Sequence, residues 1–141
     1  MEEPVLLLVE DDALVVMVAE DALELGGYAV RVAMTGAEAL DALDAPGAGF
    51  AGLITDIGLG GGPDGWEVAR YAREHQADIP IVYMTALSAG EWPTHGVPNS
   101  QLVQKPYAPA QLLAAISALI TTADANRAAS SIPCDPPPAA N

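Results

Sequence analysis

The sequence predicts an α/β protein in which one doubly wound, five-stranded parallel sheet lies between two layers of helices. Two observations indicate this fold: apolar runs of strand length alternate with segments of helical spacing, and the runs are continuously apolar. Continuously apolar strands are typical of parallel sheets covered on both faces. Strands that alternate with helices join through right-handed crossovers into a single open sheet.

Each predicted element has its own sequence signal. The strand candidates are the apolar segments 5–9, 28–34, 50–56, 79–84 and 102–103. Helical spacing predicts helices over 12–25, from Thr35 onward, over 66–75 and after Pro109, whereas the proline-containing segment 88–100 is predicted to be irregular. Thr35 and Glu38 have the spacing of a capping box. The buried stripe of the first helix is predicted to contain Val15, Val18, Ala19, Ala22 and Leu23.

Length and composition predict one domain over residues 1–122 and a disordered tail over 123–141, which is rich in Ala, Ser, Asp and Pro. Cys134 is the only cysteine, so no internal disulfide can form. The N-terminus carries acids where a secretory signal carries bases, and no apolar run is long enough to span a bilayer. We therefore expect a cytoplasmic protein.

The charge balance limits the choice of partner. The chain has 5 basic and 19 acidic residues and a formal net charge of -14. Phosphate backbones and anionic membrane surfaces would be repelled, so we expect neither a nucleic acid nor a membrane as partner. A protein with a basic face, or a metal cation, suits this charge.

Polar side chains stand where the apolar strands end. Glu10, Asp11 and Asp12 follow the first strand, Asp56 ends the third, Thr85 follows the fourth, and Lys105 follows the fifth. The carboxyl ends of parallel strands meet at one edge of the sheet, which is where ligands bind in such folds. Each residue also has a plainer explanation, as a turn, strand or surface residue, and we assign Asp12 to the start of the first helix.

Carboxylates that converge repel one another unless a cation lies between them. Glu10, Asp11, Asp56 and the backbone carbonyl of Gly58 form an all-oxygen ligand set that suits Mg²⁺. Lys105 and the Thr85 hydroxyl would help to hold a phosphoryl group, and Asp56 would be the nucleophile that forms an acyl phosphate.

The segments that carry these residues resemble the receiver domain of two-component response regulators. The similar motifs, within residues 4–121, are LLLVEDD, LITDIGLGGGPDGWEVA, IVYMTA and QKPY. The resemblance implies a flavodoxin-like fold and a phosphoacceptor role for Asp56, with a sensor histidine kinase or histidine phosphotransfer protein as donor. It implies that Glu10 and Asp11 hold Mg²⁺, that Thr85 turns toward the phosphoryl group, and that Lys105 precedes a cis proline, Pro106.

The resemblance also implies a phosphoprotein that is not an enzyme beyond its own phosphorylation and dephosphorylation, and that switches a downstream protein. Leu102 replaces the aromatic residue that many receivers carry three positions before the lysine, so we expect the switch in segment 87–100. No effector domain fits after residue 122, so a single-domain response regulator is expected, with one domain of a larger kinase as the alternative.

Other functions stay open at this stage. The receiver could be a phosphate sink or relay, or an inactive scaffold, although its complete set of site residues disfavours the scaffold. An aspartyl-phosphate phosphotransferase or hydrolase usually has a second Asp where Gly58 stands. A flavin-binding module needs a neutral phosphate loop after the first strand, and here that loop is acidic.

Overall fold

The computed structural model describes residues 4–45, 49–59, 62–85, 100–104 and 108–131. Strands and helices alternate over most of this part of the chain. The strands are β1 Val5–Val9, β2 Ala29–Ala33, β3 Gly52–Asp56, β4 Ile81–Thr85 and β5 Ser100–Gln104. The helices are α1 Ala13–Leu25, α2 Gly36–Asp44, α3 Gly65–His75 and α4 Pro109–Ser131.

The five strands form one parallel sheet in the order β2-β1-β3-β4-β5. This arrangement confirms the predicted doubly wound, three-layer α/β class. Strand lengths differ from the predicted ones at the ends. β2, β3 and β4 begin one or two residues later than the apolar runs do, while β5 begins two residues before Leu102 and continues to Gln104. The first and last residue of each strand depend on its hydrogen-bonded pairing with neighbouring strands, which an apolar run does not reveal.

A separate apolar core covers each face of the sheet. Leu7, Leu53 and Tyr83 point to the core beneath α2 and α3, and all three are fully buried. Leu6 and Ile54 point to the opposite core, where they meet α1 and α4. Side chains of successive strand residues thus enter opposite cores, which is why every strand of the interior reads as continuously apolar.

The orientation of α1 differs from the predicted stripe. The fully or nearly buried residues are Val16, Ala19 and Leu23, whereas Val18 is 49% exposed. Apolar residues occur on more than one face of α1, so periodicity alone could not identify the buried one, and the packing of α1 against β1 and α4 selects it. Met17 and Leu14 consequently lie on the surface with Val18.

Polar side chains cap the helices at the predicted starts. Asp12 is the N-cap of α1, as expected, because its Oδ1 accepts the Leu14 N–H at 2.9 Å. Thr35 Oγ1 accepts the Glu38 N–H at 3.0 Å, as a capping box requires, but the Glu38 carboxylate accepts from the Met34 N–H. Caps of this kind stabilise a helix by ~1 kcal/mol each.

The C-terminal helix continues past the predicted domain boundary. Helix α4 reaches Ser131, so residues 123–131, which we assigned to a disordered tail, are helical. Their alanines favour helix, and the first proline of the tail comes only at Pro133. Residues 132–141, with Cys134, lie outside the described part. No helix in the part that the structure describes has the length and apolarity needed to cross a membrane.

A polar cluster joins the C-terminal ends of α2 and α3. The Tyr71 hydroxyl donates to Asp44 Oδ1 at 2.6 Å, and His75 Nε2 lies 3.1 Å from the same oxygen. The Tyr71 and His75 rings stack with centroids 4.3 Å apart. The hydrogen bond to Asp44 raises the pKa of Tyr71 above its ordinary value, helped by desolvation and by the charges of Asp44, Glu74 and Asp41.

This cluster predicts a measurable titration. Because its pKa is raised on folding, the Tyr71 contribution to stability is complete below about pH 10 and is lost as the pH rises through the folded pKa. The difference in tyrosinate absorbance between the wild type and Tyr71→Phe isolates this group. We expect Asp44→Ala to lower its titration midpoint and Asp41→Ala to lower it less. Equal midpoints in wild type and Asp44→Ala would contradict this assignment.

Candidate functional site

The sheet order reverses between β1 and β3, and the acidic residues meet at this point. Val9 pairs with Thr55. Glu10 follows Val9 and Asp56 follows Thr55, so these two acids lie side by side at the ends of β1 and β3. One carboxylate oxygen each from Glu10, Asp11 and Asp56 can lie within 4.8 Å of one another. Ligand sites of doubly wound sheets form at such reversals, outside the carboxyl ends of the strands.

Burial raises the free-energy cost of keeping these carboxylates charged. Glu10 is 1% exposed and Asp56 is 9% exposed, while Asp11 lies at the surface. Carboxylates in a partly buried site disfavour one another's charged form unless positive charge compensates them. Three converging oxygen ligands with one open side suit Mg²⁺, which binds through few carboxylates and retains water. The arrangement therefore fits a magnesium ion by the chemistry of its donors.

Asp12 caps helix α1 and is not part of the acidic cluster formed by Glu10, Asp11 and Asp56. Its side chain caps α1, and its backbone N–H donates to Glu10 Oε2 at 3.1 Å. The first contact holds the Asp12 carboxylate at the helix, and the second orients the buried Glu10 side chain. Three consecutive acids thus divide into two possible metal ligands and one cap.

The backbone around Asp56 is held from several sides. Thr55 Oγ1 donates to the Asp56 carbonyl oxygen at 2.9 Å, and the Ile57 N–H donates to the Met84 carbonyl at 3.1 Å. Gly65 lies so close that a Cβ added there would collide with the Asp56 carbonyl oxygen and lie 2.7 Å from Ile57 Cα. Asp56 therefore has little freedom to move its main chain.

Sequence reasoning missed Thr55 and Gly65 as parts of this site. Thr55 suits a strand and gave no separate signal, and its fully buried hydroxyl is explained by the bond to Asp56. Gly65 did carry a signal: it follows Asp64, the N-cap of α3, where a glycine is not needed for helix formation. A glycine at the first position of a helix indicates a close backbone approach.

Thr85 lies at the end of the strand next to Asp56, and Gly58 follows Asp56 by two residues. Thr85 is the last residue of β4 and is 3% exposed, and its neighbour Met84 pairs with Asp56 in the adjacent strand. Gly58 is exposed two residues after Asp56, and the space where its side chain would be is open. Lys105 and Pro106 lie outside the described residues, so their positions at this edge stay predictions.

Leu102 and Tyr83 are partners across β4 and β5. Leu102 is partly buried, and Tyr83, opposite it in the register, is fully buried. The Tyr83 ring packs against Trp66 with centroids 4.7 Å apart, and both side chains belong to the core beneath α2 and α3. The face of the sheet beneath Thr85 therefore has its aromatic residue on β4, not on β5. The segment 87–99, where we expect the switch, lies outside the described residues.

The chain matches known proteins over nearly all of the described sheet. The family model of the response regulator receiver domain matches residues 6–117. A response regulator receiver protein from Sinorhizobium medicae is 39% identical, with a TM-score of 0.83, and the match covers 86% of this chain and 98% of that one. A receiver domain protein from Methanospirillum hungatei, at 22% identity and a TM-score of 0.78, shares the fold, with 89% of this chain and 99% of that one covered.

Curated relatives show the same resemblance in sequence. The response regulator MprA of Mycobacterium avium is 35% identical over 121 residues, which are 82% of this chain and 50% of the relative. An uncharacterized transcriptional regulatory protein of Bacillus subtilis, YkoG, is 32% identical over 122 residues, or 85% of this chain and 52% of the relative. The chain spans about half the length of these relatives. It belongs to the receiver domain family of response regulators, the phosphoacceptor domains of two-component systems.

Proposed function

We propose that Asp56 accepts the phosphoryl group, and that the donor is the phosphohistidine of a sensor histidine kinase or a histidine phosphotransfer protein. The convergence of Glu10, Asp11 and Asp56 at the β1–β3 reversal carries this proposal. The main chain of Asp56 is held by the Thr55 hydroxyl and by the close approach of Gly65, and a nucleophile benefits from such positioning.

In the transfer itself, an Asp56 carboxylate oxygen forms a bond to phosphorus while the phosphorus–nitrogen bond to the donor histidine breaks. The imidazole leaves with the electron pair of that bond, and an acyl phosphate remains on Asp56. The transition state spreads negative charge over the phosphoryl oxygens, and the protein's role is mainly positioning and electrostatic stabilisation.

Receiver domains bind Mg²⁺ through an acidic cluster, and this chain has one. Asp11 is the ligand with an open approach, Glu10 is held by the Asp12 N–H, and the Gly58 carbonyl completes the proposed set with Asp56. When bound, the metal offsets the carboxylate charge and the charge of the phosphoryl oxygens.

Thr85 and Lys105 complete the proposed phosphoryl site. Thr85 is the last residue of β4, one residue beyond the partner of Asp56, and this position supports the proposed role of its hydroxyl. Lys105 supplies a second positive charge for the phosphoryl oxygens. The chain catalyses only its own phosphorylation and dephosphorylation in this account, and the Gly58 position, where related phosphotransferases carry an acid, supports that limit.

The output is proposed to be a change in the affinity for a protein partner in the cytoplasm. A net charge of -14 favours a partner with a basic face and disfavours direct contact with nucleic acid or an anionic membrane. The curated relatives include a protein described as a transcriptional regulatory protein, and the match spans 52% of its length. Relay of the phosphoryl group to another carrier, or its disposal as a sink, is the alternative output.

Asp56→Asn tests the phosphoacceptor directly. Incubation of the wild type with acetyl phosphate and Mg²⁺ should add one phosphoryl group by intact mass, and Asp56→Asn should add none, because the amide is not a nucleophile. Asp64→Asn is the matched control, since asparagine also caps helices and α3 should stay intact. Equal labelling of wild type and Asp56→Asn would refute the assignment.

Mg²⁺ should stabilise the fold before any phosphoryl group arrives, because it relieves repulsion within the acidic cluster. At a metal concentration of about ten times the dissociation constant, linkage gives roughly 1.4 kcal/mol. Denaturant unfolding in Mg²⁺ and in chelator measures this difference. Asp11→Ala should abolish it, and Asp12→Ser, which retains an N-cap, should keep it. Identical wild-type stability in the two buffers would rule out a metal site of this kind.

Thr85→Ala should separate phosphorylation from switching. Thr85 pairs with Gln104, so its movement would be felt in β5. Beryllofluoride, a phosphoryl mimic, should change amide hydrogen exchange over 101–104 in the wild type. Thr85→Ala should suppress most of that change and still accept a phosphoryl group on Asp56. Thr121→Ala, an exposed change on α4, serves as control. Unchanged exchange in wild-type β5 would show that a movement of Thr85 is not transmitted to this strand.

A further inference from the structure

We propose that Gly36, at the start of α2, is a positioning residue for the phosphoacceptor, although it has no side chain and lies in a different helix. A Cβ added to Gly36 would collide with the carbonyl oxygen of Pro63, and would lie 2.9 Å from the Pro63 carbonyl carbon. Only a hydrogen atom leaves room for this carbonyl. Helix α2 therefore begins in direct contact with the segment that leads into α3.

Pro63 has little freedom on the side that leads to α3. The proline ring restricts its own φ. Asp64 after it is held in a complete capping box with Glu67, whose Oε1 accepts the Asp64 N–H at 3.2 Å. A push on the Pro63 carbonyl is thus transmitted along the chain toward the beginning of α3.

The beginning of α3 is itself in contact with the phosphoacceptor. Gly65, two residues after Pro63, places its Cα against the peptide group of Asp56, and its N–H donates to the Ile57 carbonyl at 2.9 Å. Close backbone contacts therefore connect Gly36, Pro63, Gly65 and Asp56 in that order. A side chain on Gly36 would have to move this series of contacts, since neither glycine contact has spare space.

The magnitude decides whether such a movement matters. A misplacement of ~1 Å at a reacting group can lower a rate by ~100-fold. The carbonyl of Pro63 would have to withdraw by a comparable amount to accept a methyl group at Gly36. We expect part of this shift to reach Asp56. Its attacking oxygen must lie in line with the bond that breaks at phosphorus. This inference rests on the proposed role of Asp56.

Gly36→Ala is the test, with acetyl phosphate as donor so that no protein docking enters the rate. At saturating Mg²⁺ and donor, and at a temperature where circular dichroism shows a folded protein, phosphorylation should be ~10-fold slower or more. The Mg²⁺ dissociation constant, measured by calorimetry without donor, should rise severalfold because Asp56 is one of the proposed ligands. Gly49→Ala is the matched control, since a Cβ there meets no atom within 4 Å.

A second variant separates positioning from mere stability. Pro63→Gly, added to Gly36→Ala, frees the backbone at the contact and should recover most of the rate and of the Mg²⁺ affinity. A purely structural role predicts a lower melting temperature with wild-type rate and affinity in the folded protein. That result, or unfolding of both variants, would overturn the proposal. Failure of the wild type itself to label at Asp56 would instead refute the proposed function.

Discussion

The parallel pairing of β1 with β3 is the constraint on which the site depends. It brings two strands that are distant in sequence side by side at the point where the sheet order reverses, and both strands end in carboxylates. The two apolar cores hold these strands from both faces, so the strand ends that carry the carboxylates stay side by side. The free energy of burying the sheet is therefore coupled to an electrostatic cost that a cation can remove.

The backbone of Asp56, the proposed phosphoacceptor, is held in part by residues that are not proposed as metal ligands. The Thr55 hydroxyl donates a hydrogen bond to the Asp56 carbonyl oxygen. Gly65 allows α3 to approach the same peptide group. Thr55 is fully buried, so its contact restricts the Asp56 backbone even though the site opens to solvent at Asp11. A firmly held carboxylate beside an accessible face suits the proposed transfer from a second protein.

The two faces of the sheet differ in how they are fastened. On one face, α2 and α3 are joined at their far ends by the Asp44–Tyr71–His75 cluster and at their near ends by the Gly36–Pro63 contact. On the other face, α1 and α4 pack through apolar contacts and the Tyr28–Ser117 hydrogen bond, and α1 leaves Leu14 and Met17 exposed. On the first face, α2 and α3 thus have polar and backbone contacts in addition to their apolar core.

The sequence by itself determined the fold class and the members of the acidic cluster, because continuously apolar runs and the residues at their ends are local signals. Tertiary structure alone decided which face of α1 is buried, since Val16 and Val18 are equally apolar and only packing distinguishes them. It also decided that the Asp12 backbone orients Glu10. Only the tertiary structure shows that Gly36 and Gly65 allow backbone contacts that a side chain would prevent. Such contacts join residues far apart in the chain, and no periodicity encodes them.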